Sequence, residues 1–341
     1  MIANKIKNID WYEDEAARQR GEPGIAHSYL RALATAVQKL NGSVDPVWLM
    51  GTSGWAFRIW VNETLCPSAM SVFDFDTLLP EAVEQAGFRC NYISRLWDED
   101  EVEQERREQA HDAIVAAVDR GAPSIVWDVQ DAEWGLVVGY DDNRGVFDAL
   151  SYNGEPVALR YDRLGHNGID ILSVAVPGEA NERSRPVAIK RSLLAAVAHH
   201  EQKEWADRPD YQDGSAAFDL WALILERGAM LAEAGKTESV ADDIASFADY
   251  YAAHYYGARC YAREYLGSVA SGAEALVQAS ESYARVAAHL KPVWEYFAQG
   301  LSTAEWQAPK LRDLAESIKQ AGAAEVEAIG HIKAYLAKLH D

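Results

Sequence analysis

The sequence predicts an α+β domain followed by an α-helical domain, and three features of the chain favour this fold class. The first 176 residues alternate between helical periodicity and short runs of strand character. A polar segment bounded by proline and glycine follows at 177–186. From Val187 onward, nearly all of the chain has helical periodicity. We therefore expect an α+β domain at 1–176, a linker at 177–186 and a helical domain at 187–341.

The helices of the first domain are predicted from apolar spacing and stop signals. Ile25–Leu40 carries apolar residues three and four positions apart, and Asn41 and Gly42 supply a left-handed stop. Two further helices are predicted at Leu78–Ala86 and Asp98–Arg120. Strands are predicted at Ala56–Val61, Phe88–Ile93, Ser124–Val129, Leu136–Tyr140, Val146–Leu150, Val157–Tyr161 and Ile169–Val176. The helices of the second domain are predicted at Ala188–Ala206, Gly214–Ala234, Ser239–Gly267, Ala270–Gln299 and Thr303–Leu339.

Length and composition limit the class of protein. A chain of 341 residues fits about two domains of ~100–200 residues each. A hydrophobic content of 49% with 11 tryptophans is typical of globular proteins rather than disordered ones. The net charge of −21 repels phosphate backbones and anionic lipids. We therefore expect neither a nucleic acid nor a membrane as a partner.

The N-terminal segment and the cysteines indicate a cytoplasmic protein. The first 16 residues lack the features of a signal peptide, and no run of ~18 apolar residues exists that could cross a membrane. The three cysteines, Cys66, Cys90 and Cys260, are odd in number and widely spaced, which argues against a disulfide framework or a zinc site. We expect no metal and no cofactor.

A glycine-rich segment at Leu49–Arg58 supplies two candidate ligand contacts. It lacks the patterns of phosphate-binding loops, but its glycines allow the backbone to approach a ligand closely. Trp55 and Phe57 could form walls of a pocket. The alternative is a tight turn whose aromatic residues belong to the core.

Cys66 and His27 are the candidates for nucleophilic catalysis. Cys66 lies in a predicted loop, and a reactive thiol there needs a base within hydrogen-bond reach. His27 opens the first helix and could be that base, although a capping role is equally compatible with its position. Most lone cysteines are inert, small apolar residues. Ser28 could act as a nucleophile only with an aligned base, which the sequence does not show.

Acidic residues precede Trp134, and aromatic residues with polar tips line one predicted helix. We expect Asp131 and Glu133 to be solvated turn residues, and Asp128 to face the mouth of a cleft. The aromatic residues with polar tips recur at three- and four-residue spacing on the predicted helix, so they could line a ligand pocket or pack between helices. This stripe consists of Tyr251, His254, Tyr255 and Arg259.

Three segments resemble the papain-like N-terminal domain of the butirosin-biosynthesis acyltransferase family, which is related to bacteriocin-processing peptidases. They are the helix Ile25–Leu40, the loop Gly51–Phe57, and the strand pair Ser124–Asp128 and Trp134–Asp142. The helical half is similar to the region that follows this domain in bacterial relatives. The resemblance implies a papain-like domain with a mainly antiparallel sheet and, in active members, Cys–His acyl chemistry on a peptide or an acyl-carrier thioester.

The sequence departs from this pattern at both catalytic places. Ala26, His27 and Ser28 stand where the cysteine is expected, and Trp134 and Gly135 stand where the histidine is expected. We therefore expect a catalytically degenerate papain-like protein that binds a small molecule or a short peptide in a cleft between its domains. The alternative is an acyltransferase or amide hydrolase that uses Cys66 with His27. A structural or oligomerising protein is a third class, and a homodimer stays open as an assembly.

Overall fold

A computed structural model describes residues 3–67, 75–181, 183–201, 211–235 and 239–339, and it shows a mixed α+β protein whose C-terminal region is helical. The strands are β1 (Ala3–Lys5), β2 (Trp60–Asn62), β3 (Phe88–Arg95), β4 (Ser124–Gln130), β5 (Glu133–Asp141), β6 (Val146–Leu150), β7 (Pro156–Arg160), β8 (Leu172–Ala180) and β9 (Tyr211–Asp213). The helices are α1 (Glu15–Gln19), α2 (Ser28–Asn41), α3 (Pro46–Thr52), α4 (Phe75–Gln85), α5 (Glu103–Asp119), α6 (Arg185–His200), α7 (Gly214–Ala234), α8 (Ser239–Val269), α9 (Glu274–Phe297) and α10 (Ala308–Lys338).

The chain divides into two compact units. The first unit consists of Met1–Asp14, His27–Leu49 and Asp74–Ser184, and the second of Glu15–Ala26, Met50–Phe73 and Arg185–Asp341. The sequence analysis assigns all of 1–176 to one domain, whereas 15–26 and 50–73 belong to the unit that contains the C-terminal helices. The segment predicted as a linker, 177–186, contains the end of β8 and the first residues of α6.

The first unit is built on an antiparallel sheet. Its strands β3, β8, β4, β5, β6 and β7 are neighbours in that order, and β1 also pairs with β5. The predicted hairpin is β4 and β5, in which Ile125 lies opposite Leu136 and Val126 opposite Gly135. The residues of β5 between its two ends are all buried, as in strands that are covered on both faces. The apolar core joins α5 to the sheet through Ile114, Ala117, Val118, Val126, Val137, Phe147 and Val174.

Helix α2 has well-defined ends. It begins at Ser28, three residues later than the sequence predicts, because His27 has extended backbone angles and acts as the N-cap. It ends, as predicted, before a left-handed Gly42 with φ 79°. The other boundary of note is in α5, whose predicted first residues form a short 3-10 turn at Asp100–Val102 instead.

The second unit is mainly helical. Helix α10 packs against α6, α7 and α9, and α9 also packs against α8. The strand predicted at Ala56–Val61 begins only at Trp60, because its partner β9 ends opposite Trp60 at Asp213, directly before α7 begins. The segment predicted as a loop, Leu49–Arg58, begins inside α3. The helix predicted at Gly214–Ala234 has the bounds of α7.

A close contact at Gly51 gives a test of the packing in the second unit. A Cβ atom at Gly51 would lie 2.1 Å from the ring of Tyr265, which the surrounding side chains hold in place. We expect Gly51→Ala to lower the free energy of unfolding by about 1–3 kcal/mol because the core cannot take the extra methyl group. Urea denaturation measures this change.

Gly330 provides the matched control. It lies exposed inside α10, and a Cβ atom there would meet nothing within 4 Å. Gly330→Ala should therefore leave the free energy of unfolding unchanged from the wild type or raise it by up to about 1 kcal/mol. A Gly51→Ala variant as stable as Gly330→Ala would contradict the packing described for α3.

Candidate functional site

The N-terminus of α2 is capped by a histidine. The Nδ1 atom of His27 accepts a hydrogen bond from the backbone N–H of Tyr29 at 3.2 Å, and the His27 residue is only 1% exposed. Small polar side chains usually satisfy this group at a helix start. The sequence analysis proposes His27 as a catalytic base, and the structure shows that one of its two ring nitrogens caps the helix.

Ser28 joins the first turn of α2 to the start of β5. Its hydroxyl donates a hydrogen bond to Oε2 of Glu133 at 2.5 Å. The Oγ atom of Ser28 also accepts a hydrogen bond from the backbone N–H of Trp134 at 3.2 Å. Ser28 is 3% exposed, so these contacts lie inside the first unit. The sequence analysis does not predict this pair, because Ser28 and Glu133 are 105 residues apart.

Glu133 has a perturbed carboxyl group. Burial raises the pKa of Glu133, the hydrogen bond from Ser28 opposes this rise, and the charge of Asp131 adds to it. A carboxylate of raised pKa beside a hydroxyl is a base placed next to a nucleophile, although the same contact also satisfies two buried polar groups. The prediction that Glu133 is a solvated turn residue is therefore wrong.

The indole of Trp134 is buried in the first unit. It is 1% exposed and packs edge-on against Tyr29, with ring centroids 5.0 Å apart. The ring of Trp127 also packs against Trp134, with ring centroids 5.1 Å apart. The hydroxyl of Tyr29 in turn donates to the carbonyl of Leu79 at 2.7 Å. Trp134 is a core residue of the first unit.

Asp128 organises a loop. Its Oδ2 atom accepts hydrogen bonds from the backbone N–H groups of Gly168 and Ile169 at 2.6 and 2.7 Å. Its Oδ1 atom accepts from the N–H of Ala132 at 3.2 Å. Asp128 is 2% exposed and has a left-handed backbone with φ 55°. Both oxygens of the carboxylate predicted to face a ligand thus hold the backbone of the protein itself.

The cysteines differ in their surroundings. Burial raises the pKa of Cys90 and of Cys260 to about 12, so both thiols stay protonated at neutral pH. Cys66 is half-buried, and its carbonyl accepts a hydrogen bond from the hydroxyl of Tyr251 at 2.9 Å. Cys66 belongs to the second unit and His27 to the first.

The aromatic stripe of α8 holds the backbone of the segment that contains β2. The hydroxyl of Tyr255 accepts from the N–H of Trp60 at 2.9 Å and donates to the carbonyl of the same residue. Tyr251 accepts from the N–H of Asn62 at 3.4 Å. His254, 3% exposed, packs edge-on against Tyr255 with ring centroids 4.8 Å apart.

Arg259 extends this stripe with a buried ion pair. Its guanidinium donates two hydrogen bonds to Glu325, both at 2.8 Å, and neither side chain is more than 2% exposed. Arg259 also donates to the carbonyls of Arg58 at 2.6 Å and Phe57 at 3.3 Å. Glu325 lies among alanines on the buried face of α10. A glutamate at such a position is almost always paired, so this pattern could have predicted the ion pair from the sequence.

Trp55 and Phe57 are core residues of the second unit. Trp55 is fully buried and lies edge-on to Trp60, with ring centroids 6.2 Å apart. Phe57, 1% exposed, packs against the rings of Tyr265 and Tyr283 at 6.2 and 5.6 Å. The sequence analysis gives a tight turn with core aromatics as one of two alternatives for these residues, and the burial of both rings fits that alternative.

No family model matches this chain, and no curated protein matches its sequence significantly. Among the described helices, none is long and apolar enough for a membrane crossing. The described residues also contain no group of three or more His, Cys, Asp or Glu side chains suited to a metal ion. The chemistry of the chain must therefore be argued from its own side chains.

The raised pKa of Glu133 predicts a pH-dependent effect of Glu133→Gln. A raised pKa means that the folded protein binds the carboxyl proton more tightly than the unfolded chain does. The stabilising contribution is complete below the ordinary glutamate pKa of 4.5 and is lost as the pH rises through the raised value. We therefore expect the stability of Glu133→Gln relative to wild type to increase as the pH rises above 4.5. Urea denaturation across pH 4–8 measures this difference.

Glu305→Gln is the control with the opposite sign. Hydrogen bonds from the side chain and backbone of Ser302 lower the pKa of Glu305, so its contribution is present above the ordinary pKa and lost as the pH falls. The relative stability of Glu305→Gln should therefore fall as the pH rises toward 4.5 and stay level at higher pH. Parallel pH profiles for both variants would contradict the surroundings described for Glu133.

The buried ion pair predicts a large effect of Glu325→Gln. Without the carboxylate, the charge of Arg259 stays buried and loses its counter-ion, which costs about 3–5 kcal/mol of unfolding free energy. The exposed pair between Arg312 and Glu233 is a matched control, because solvent screens its charges and Glu233→Gln should change the stability little. Equal losses of unfolding free energy in Glu325→Gln and Glu233→Gln, measured by urea denaturation, would contradict the buried ion pair between Arg259 and Glu325.

Proposed function

We propose that the first unit is a papain-like domain without cysteine chemistry, and that the protein acts by binding a small molecule or a short peptide. The observation that carries this proposal is the pair of Ser28 and Glu133. A hydroxyl lies at the helix start, where the resembling peptidases have a thiol, and a carboxylate lies one residue before Trp134, which stands where they have an imidazole. Trp134 fills the space beside them. The antiparallel sheet beside α2 supports the papain-like type.

The state of the thiols also supports the loss of cysteine chemistry. A cysteine nucleophile reacts as the thiolate, and the raised pKa values of Cys90 and Cys260 disfavour that form. His27 uses its Nδ1 atom to cap α2 rather than to activate a thiol.

Acyl transfer through Ser28 is a second candidate function, and the 2.5 Å contact with Glu133 favours it. In this reaction the hydroxyl oxygen of Ser28 attacks the carbonyl carbon of an acyl thioester while Glu133 takes the hydroxyl proton. The carbon–sulfur bond breaks, and Glu133 returns the proton to the departing sulfur. Water or an amine then attacks the acyl-serine ester by the same route and regenerates the hydroxyl.

One experiment separates these functions. Wild-type protein is incubated with a panel of short peptides and acyl-pantetheine thioesters, thermal unfolding reports binding, and mass spectrometry reports products. We expect one or more panel members to raise the midpoint of unfolding, because a ligand that binds only the folded protein stabilises it. We expect no product above the level of a protein-free control.

Three variants show which side chain is required for any product that forms. Turnover that is lost in Cys66→Ser would contradict the proposal and favour the cysteine enzyme. Turnover that is lost in Ser28→Ala but kept in Cys66→Ser would favour acyl transfer through Ser28. Ser94→Ala is the matched control, since half-buried Ser94 donates a 2.5 Å hydrogen bond to the exposed carboxylate of Asp76. Neither binding nor turnover would favour a structural protein.

A further inference from the structure

The second unit contains a largely apolar cavity of about 510 Å³. It lies where the start of α6, the turn between α8 and α9, and the end of α10 meet, and its walls include Val187, Ile189, Val269 and Leu339. Small-molecule sites are concave, mainly apolar cavities of ~300–1,000 Å³ with a few polar groups that orient the ligand. This cavity has that size and that composition.

Two half-buried polar side chains line the cavity without a hydrogen-bond partner among the described residues. Lys190 is half-buried and makes no ion pair or hydrogen bond within the described part of the chain. Tyr335 is also half-buried, and its hydroxyl is similarly free of hydrogen bonds to described residues. Acidic residues outnumber basic ones by 53 to 32, yet none of those described pairs with Lys190. An ammonium group held at an apolar wall is suited to an anion supplied by a ligand.

We propose that this cavity binds an unbranched alkyl monocarboxylate, such as a medium-chain fatty acid. Val187, Ile189, Val269 and Leu339 would cover the alkyl chain, since burial of apolar surface favours binding. The ammonium group of Lys190 binds the carboxylate through a charge-assisted hydrogen bond. Only residues of the second unit line the cavity, so this inference does not rest on the function proposed for the first unit.

Calorimetric titration of the full-length protein with sodium dodecanoate, below its micelle concentration, tests the proposal. We expect saturable binding at one site. Lys190→Met keeps the length of the side chain and removes its charge, so it should weaken dodecanoate binding by about tenfold or more. Lys310→Met is the matched control, because Lys310 is also a half-buried lysine without an ion pair in the described chain but does not line the cavity. It should bind like the wild type.

Two further measurements make the result specific for the carboxylate. Dodecanol has the same chain without the charge, and it should bind the wild type at least tenfold more weakly than dodecanoate. Val187→Asp places a competing carboxylate three residues before Lys190 on the same side of α6, at a position that is 52% exposed. It should also weaken dodecanoate binding, and circular dichroism checks that both variants stay folded.

The proposal is overturned by any of three results obtained with the wild type and Lys190→Met. These are no saturable binding of dodecanoate by the wild type, equal affinities of the wild type and Lys190→Met, and equal affinities of dodecanoate and dodecanol for the wild type. A Lys310→Met variant that binds as weakly as Lys190→Met would also overturn it, because the effect of the charge would then not be local.

Discussion

The first unit depends on the hydrogen bonds that join the start of α2 to the start of β5. Ser28 donates to Glu133 and accepts from the N–H of Trp134, so one buried hydroxyl fixes the helix relative to the strand. The turn that delivers Glu133 contains left-handed residues at Asp131 and Ala132, with φ of 60° and 53°. Such backbone angles are disfavoured for residues other than glycine and persist only where the surroundings hold them.

Asp128 supplies much of that support. Its carboxylate binds the N–H of Ala132 on one side and two N–H groups of the loop at Gly168 and Ile169 on the other. The carboxylate of Asp128, which the sequence analysis expects to face a cleft, therefore stabilises a strained turn. This turn places Glu133 beside Ser28. The pair is thus a consequence of the fold and a candidate for chemistry at the same time.

In the second unit, large side chains supply hydrogen-bond partners for buried backbone groups. The segment that contains β2 brings backbone N–H and C=O groups into a buried environment, and buried groups of this kind need partners. The hydroxyls of Tyr251 and Tyr255 and the guanidinium of Arg259 supply several of them, and Glu325 balances the charge of the arginine. This arrangement explains why an aromatic stripe with polar tips is conspicuous in the sequence. Such a stripe is typical of ligand pockets, but here it holds the chain.

Local patterns in the sequence were sufficient to predict the fold class and most helices and strands. The end of α2 at Gly42, the hairpin of β4 and β5, and the bounds of α7 follow from residue spacing and stop signals alone. Segment 50–67 could not be assigned in this way, because its place in the second unit depends on contacts with the distant helix α8. Glu133 was missed for the same physical reason, since only tertiary structure places it beside Ser28.

The most direct test of this account is a carbon-13 NMR titration of the Glu133 carboxyl in the full-length protein. We expect Glu133 to titrate above the ordinary glutamate pKa, because partial burial raises its pKa. We also expect Ser28→Ala to raise that pKa further by removing the hydrogen bond that lowers it, whereas Ser94→Ala should leave it unchanged. A Glu133 that titrates at or below the ordinary value, or that does not respond to Ser28→Ala, would contradict the account.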